Sequence, residues 1–299
     1  MIQYGGVSER KRTRSLRGQS QVRAAAPSSA GKFPNFVNNG GPVITSPRIF
    51  TSFWGPSWQS DTAHQTAAKR LQQFCTDILN SEFMNVLSQY GVGTGKGSGS
   101  FAGTSTLANV PAQLDNSGVR NVLQAAIDAG TIPEPPANNT SDLVMVFLDE
   151  SIEINDANAG LVLCEPANDT AFGYHEFFTT KKGNPCYYAV IPALDDACIR
   201  NSCPGGDTTC SLSLSETQEQ RRTQVASHEF AEMTTDPQLN AWYDPQNGEN
   251  GDICNGETST LSVGSDSWTV QRIYSKYDDV QTNGATYCLA SAPSPKPKV

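Results

Sequence analysis

The chain has 299 residues, of which 37% are hydrophobic and 17% charged, so it can bury the core of one large domain or two ordinary ones. Its formal net charge is −9, and residues 1–32 hold seven Lys/Arg against one acid, so the remainder is more acidic still. A strongly acidic body argues against a nucleic-acid partner, and no apolar run reaches the length of a membrane span.

The eight cysteines indicate the compartment. Four of them, Cys186 to Cys210, lie in one stretch rich in Pro, Gly, Asp and Thr. An even count in loop-rich sequence predicts disulfides and an extracellular protein, although residues 1–30 show no apolar segment typical of a signal peptide. The alternative is a structural zinc cluster, which the lack of a C-x-x-C pair disfavours.

Both ends of the chain are predicted to be disordered. Residues 1–43 are basic and rich in Gly, Ser and Pro, and residues 291–299 form a Pro/Lys tail. Residues 44–290 are predicted to form one domain. Its predicted strands are 47–54, 143–148, 187–192 and 268–274, and its predicted helices are 62–79 (capped by Asp61), 82–90, 118–129 and one from Ser215 or Glu216 to 235.

The last of these helices carries a metal-site pattern. His228 and Glu232 are four residues apart, so on a helix they share one face. A histidine nitrogen and a carboxylate oxygen at that spacing can hold Zn²⁺, and Glu229 is placed to take a proton from water as general base. The usual pattern is H-E-x-x-H, and here glutamate replaces the second histidine. The alternative is a helix with solvated acids and a packed histidine.

A third ligand is expected downstream of the motif. Nineteen residues separate Glu232 from Asp252, a spacing that resembles the thermolysin-like zinc peptidases. Asp252 is therefore the first choice for the third metal ligand, and Glu249 is the second. The ligand spacing of the metzincins is absent, because Gln238 stands where their third ligand would be.

His175 lies in a second segment dense in aromatic and acidic residues, 172–178. A lone histidine among aromatic side chains is usually packed or hydrogen-bonded. Two of the three histidines nevertheless lie in such segments, which favours His175 as an additional ligand or substrate-binding group. His175 and Tyr174 are the candidates for stabilising an oxyanion.

Several motifs share their order with a known family. Ala226–Met233 (ASHEFAEM), Asn240–Tyr243 (NAWY) and Glu249–Cys254 (ENGDIC) resemble the H-E-L-A-E, N-A-W-Y and E-I-x-D-L-C segments of the phosphate-induced/EXORDIUM-like secreted proteins of plants and their microbial relatives. Plant members favour Phe at the position of Tyr174. The resemblance implies an extracellular protein of zincin-like architecture, and it does not by itself imply peptidase activity.

The sequence thus predicts an α+β, zincin-like single domain, in which a mixed sheet packs on a long helix and on the HExxE helix, with disulfide-stapled loops. Two functions follow. The first is a secreted zinc-dependent, metallopeptidase-like hydrolase acting on a peptide or cell-surface substrate. The second is a non-catalytic extracellular binding or signalling protein whose metal site is structural or vestigial.

Overall fold

The computed structural model describes residues 31–156, 159–165, 170–203 and 210–299. Within these ranges the strands are β1 (Val37–Asn38), β2 (Arg48–Trp54), β3 (Ser100–Leu107), β4 (Gln113–Leu114), β5 (Asp142–Leu148), β6 (Glu153–Asp156), β7 (Leu161–Leu163), β8 (Thr170–Ala171), β9 (Tyr174–Thr179), β10 (Pro185–Ile191), β11 (Trp242–Tyr243), β12 (Thr258–Val263), β13 (Asp266–Gln271), β14 (Ile273–Tyr274) and β15 (Cys288–Leu289). The helices are α1 (Ser57–Ser60), α2 (Thr62–Leu79), α3 (Phe83–Leu87), α4 (Asn116–Asp128), α5 (Asp196–Ser202), α6 (Gln218–Thr235) and α7 (Lys276–Gln281), with 3₁₀ turns at Ser88–Tyr90 and Asp252–Cys254.

The central sheet has the strand order β3–β2–β5–β10–β9. The first four strands are parallel, and β9 runs antiparallel to β10 at the edge. β5 is a continuous apolar run because both faces of the sheet are covered. The prediction of an α+β domain with a mixed sheet is confirmed.

Alternation along these strands creates two cores on opposite faces of the sheet. Phe53, Met145 and Ala189 lie in the core that also contains buried side chains of α2, α3 and α6. Trp54 and Val146 face the other core, which contains the buried side chains of α4. The sheet therefore separates two hydrophobic layers, and α6 packs against β9, β10, β13 and α2 on the first face.

The predicted boundaries hold for most elements. Asp61 caps α2 by accepting a hydrogen bond from the backbone N–H of His64, as predicted. The predicted start of α6 at Ser215 or Glu216 lies before the observed start at Gln218, because Thr217 is the N-cap of the helix. The predicted strand 268–274 divides at Arg272 into β13 and β14, which pair with different partners.

The folded body extends beyond both predicted limits. Phe36 is completely buried and β1 pairs with β11, so the boundary at residue 43 is corrected. In the tail, Ala292 is buried and its N–H donates to the carbonyl of Glu82, while the Val299 N–H donates to that of Gln89. Residues 291–299 are therefore not a disordered tail. The predicted disorder of residues 1–30 lies outside the described residues.

Three disulfides join Cys164 to Cys198, Cys203 to Cys210 and Cys254 to Cys288. These bonds support the prediction of disulfide-stapled loops and disfavour the alternative of a structural zinc cluster. Two cysteines stay reduced because the sheet separates them. Cys75 lies in the core that contains α2, α3 and α6, and Cys186 lies in the core on the other face, which contains α4. Within the described residues, no helix is both long and apolar enough to span a bilayer.

Candidate metal centre

Helix α6 is polar but almost completely buried. It begins with a capping box: Thr217 Oγ1 accepts from the Gln220 N–H at 3.2 Å, and Gln220 Oε1 accepts from the Thr217 N–H at 2.8 Å. It ends at Thr235 because Pro237 follows Asp236. Every residue from Arg221 to Thr235 is buried, although ionisable side chains are rarely buried without a partner or a function.

His228 and Glu232 meet on one face of α6, as their spacing predicts. The distance from His228 Nε2 to Glu232 Oε1 is 3.1 Å. The other ring nitrogen of His228, Nδ1, lies 2.8 Å from the side-chain amide nitrogen of Gln271. That amide nitrogen donates a hydrogen bond to the carbonyl of Gly251 at 2.9 Å. Gln271, at the end of β13, thereby fixes the imidazole so that Nε2 points at Glu232.

The edge strand β9 brings His175 to the same place. Its Nε2 lies 3.2 Å from Glu249 Oε2 and 3.7 Å from Glu232 Oε2. The His175 side chain is only 4% exposed, and its Nδ1 has no hydrogen-bond partner. His175 is therefore part of the cluster, where it stays a candidate for an additional ligand or a substrate-binding group.

Tyr174 is not part of this cluster, and its assignment as a catalytic residue is corrected. Successive side chains of a strand point to opposite faces of a sheet, so Tyr174 points away from its neighbour His175. Its ring lies in the α4 core, and its hydroxyl donates to Asn116 at 3.3 Å.

The loop after β11 closes the cluster, but not through the residue that spacing favoured. The carboxylate of Asp252 accepts a hydrogen bond from the backbone N–H of Glu249 at 3.0 Å, and the Asp252 N–H donates to Glu232 Oε1 at 3.1 Å. Asp252 therefore positions its neighbours. The loop carboxylate that lies beside a histidine is Glu249, the second choice from the sequence.

Two glycines allow the backbone to approach the cluster. A Cβ atom on Gly251 would lie 2.8 Å from both Glu232 Oε1 and His228 Nδ1, and one on Gly173 would lie 2.8 Å from Glu229 Oε1. Such separations are closer than van der Waals contact, so a side chain at either position would displace the cluster. Gly251 lies within the ENGDIC segment, but nothing in the sequence alone marks the two glycines or Gln271 as part of the site.

The donor atoms form two groups that share Glu232. One is His228, Glu229 and Glu232, and the other is His175, Glu232 and Glu249; within each group the candidate ligand atoms lie within 4.8 Å of one another. Ligand atoms around a tetrahedral zinc ion are separated by about 3.3 Å when the bonds are about 2.0 Å. The measured separations of 3.1, 3.2 and 3.7 Å and the nitrogen and oxygen donors therefore fit a divalent cation.

Without a cation, the negative charges of these carboxylates are poorly compensated. Burial raises the pKa of Glu229 to about 8, and repulsion from Glu232 adds to the effect of burial. Burial and the same repulsion raise the pKa of Asp252 to about 7 and hold that of Glu249 well above its ordinary range. Three carboxyl groups thus retain protons at a pH where exposed acids are ionised.

His228 and Glu232 form the ionised pair of the cluster. Burial alone would lower the pKa of His228, but the negative charge of Glu232 and its hydrogen bond raise that pKa well above its ordinary range. Burial would raise the pKa of Glu232, but the charge and hydrogen bond of His228 hold it below its ordinary range. Glu232 is therefore the carboxylate that is ionised first, and it lies between both histidines.

Comparisons of the chain with protein-family models, with curated proteins and with solved structures found no match.

Proposed function

We propose that the protein is a zinc-dependent, metallopeptidase-like hydrolase of the extracellular space. The observation that carries the proposal is the convergence of His228 and Glu232 from α6 with His175 and Glu249 from two other segments, in a buried cluster with donor spacing suited to a divalent cation. The mixed sheet packed against α2 and α6 supports a zincin-like fold. The three disulfides are compatible with secretion.

The residues of the chain divide into binding and catalytic roles. His228 and Glu232 hold the cation, and Gln271 orients the His228 ring. When bound, the cation polarises a substrate carbonyl and acidifies water. Glu229 accepts the proton as general base, since its carboxylate lies within 4.8 Å of the candidate ligand atoms of His228 and Glu232. His175 reaches the cluster from the edge strand β9, where it serves as an additional ligand or stabilises developing negative charge.

The second candidate is a non-catalytic extracellular binding or signalling protein of the EXORDIUM-like type with a structural or vestigial metal site. The abundance of carboxylates favours it, because anionic ligands cancel the charge of Zn²⁺ and leave bound water less acidic than a site with two histidines and one carboxylate does.

One pair of variants separates the two candidates. Metal content and cleavage of casein or a peptide are measured for the wild type, for Glu229→Gln, and for Glu219→Gln, which removes an ion-paired carboxylate from the exposed first turn of the same helix. A hydrolase retains its metal in Glu229→Gln and loses cleavage by at least about 100-fold, while Glu219→Gln stays active. Wild-type protein that holds metal without cleaving would favour the structural role, and protein that binds no metal would refute the hydrolase and leave only a non-catalytic protein with a vestigial site.

A further inference from the structure

We propose that the cluster is a dinuclear centre, in which Glu232 bridges two divalent cations. The first cation is the one of the proposed function, beside His228, and the inference rests on it. The second lies between His175, Glu232 and Glu249. It is a separate metal site, which the HExxE motif does not predict.

The two oxygens of Glu232 serve different histidines. Oε1 lies 3.1 Å from His228 Nε2, and Oε2 lies 3.7 Å from His175 Nε2. A carboxylate that presents one oxygen to each side is the usual bridge between metal ions about 3.5–4 Å apart. Each side then has a further carboxylate in reach, Glu229 beside His228 and Glu249 beside His175.

The charge of the cluster also matches two cations. Glu229, Glu232, Glu249 and Asp252 carry a formal charge of −4 when ionised, and within the described residues the cations that pair with them are histidines alone. With one divalent ion in a buried site, carboxyl groups that the ion does not contact keep their protons, so only part of this formal charge develops. Two divalent ions neutralise it.

Polar atoms on the His175 side lack partners. His175 Nδ1 and Glu249 Oε1 are buried and make no hydrogen bond, and both side-chain atoms of the neighbouring Asn250 are in the same condition. Buried polar atoms nearly always have partners, and Glu249 Oε1 is the atom of this group that a cation held by His175 Nε2 and Glu249 would satisfy.

The donor set indicates the chemical class of the second ion. One imidazole nitrogen and two carboxylate oxygens suit Zn²⁺ or another first-row divalent metal. Mg²⁺ is disfavoured, because it prefers a shell of oxygen ligands and water.

The test is the metal stoichiometry of chelator-stripped protein re-equilibrated with Zn²⁺ by dialysis. The wild type is expected to bind two ions per chain, and Glu249→Gln and His175→Gln one each, with circular dichroism confirming that both variants fold. Glu257→Gln, a substitution of an exposed glutamate that follows the same loop, should still bind two.

Any other metal stoichiometry would refute the dinuclear centre, the second site or the proposed function. One ion in the wild type refutes the dinuclear centre and leaves the proposed function standing. Two ions in both the wild type and the two variants would place the second ion elsewhere and refute this site. No bound ion would refute the proposed function as well. Substitution with Co²⁺ adds a spectroscopic check, since bridged ions couple magnetically and lose electron paramagnetic resonance intensity, whereas isolated ions do not.

Discussion

The stability of the metal-free protein should fall as the pH rises from 5 to 8, in contrast to proteins whose buried acids are paired. Glu229 has a pKa of about 8 in the fold, against an ordinary value of 4.5. Between these values the folded state binds one more proton at this site than the unfolded state, so raising the pH favours unfolding. The stabilisation from the bound proton is complete below pH 4.5 and is lost as the pH rises through about 8.

The magnitude follows from the size of the shift. A pKa difference of one unit corresponds to about 1.4 kcal/mol, so Glu229 alone changes the free energy of unfolding by on the order of 5 kcal/mol over the whole window. Asp252, whose pKa is raised to about 7, acts in the same direction. The raised pKa of His228 also favours the acid side, since its bound proton is lost as the pH rises. The lowered pKa of Glu232 acts only below about pH 4.5.

The assay is urea unfolding at pH 5, 6, 7 and 8 in EDTA, with the free energy of unfolding extrapolated to water. We expect a decline of at least about 1.4 kcal/mol per pH unit, the effect of a single proton. Glu229→Gln, which cannot ionise, should match the wild type at pH 5 and exceed its stability at pH 8 by several kcal/mol. With saturating Zn²⁺ the decline should flatten, because the metal replaces protons on the ligands.

Two results would refute this reasoning. One is a free energy of unfolding in EDTA that stays level or rises from pH 5 to pH 8. The other is a Glu229→Gln profile parallel to that of the wild type, which would show that this carboxyl group does not retain its proton in the fold.

Three further predictions concern the surroundings of the cluster. Gln271→Leu should weaken Zn²⁺ binding by about 10–100-fold in a chelator competition, because the ring of His228 loses its orienting partner; unchanged affinity would contradict that role. Tyr174→Phe should change both hydrolysis and stability little, at most about 1 kcal/mol, because it removes one hydrogen bond in the opposite core; a 100-fold loss of activity would return Tyr174 to the site. Replacing Cys254 and Cys288 together by Ser opens a loop with a sequence separation of 34 and should lower the free energy of unfolding by about 4 kcal/mol in urea titrations; a loss below about 1 kcal/mol would indicate that the unfolded chain is not constrained by this bond.

Local patterns predicted the elements well because the signals lie within each element. Asp61 as a cap, the apolar run of β5 and the Pro237 stop of α6 each act within a few residues, and they appear where the sequence indicates. The pairing of His228 with Glu232 is of this kind, since four residues of helix fix their proximity.

Contacts between distant segments could not be read from spacing. The interval from Glu232 favoured Asp252 over Glu249, but the 3₁₀ turn at Asp252–Cys254 directs the Asp252 carboxylate back to a backbone N–H. Whether Asp252 or Glu249 faces the cluster is decided by hydrogen bonds within an irregular loop, and the periodicity of the sequence does not encode such bonds. For the same reason the sequence did not single out Gln271, because its role depends on the packing of β13 against α6.

The sequence by itself determined the HExxE face of α6, the acidic and disulfide-forming character of the body, and most of the helices and strands, because these depend on composition and on short-range geometry. Only the tertiary structure decided which side chains surround Glu232. The antiparallel pairing of β9 with β10 sends His175 to the cluster and Tyr174 to the opposite core, and a shift of one residue would exchange them. The identity of the site therefore depends on strand register, which is set by packing across the whole sheet.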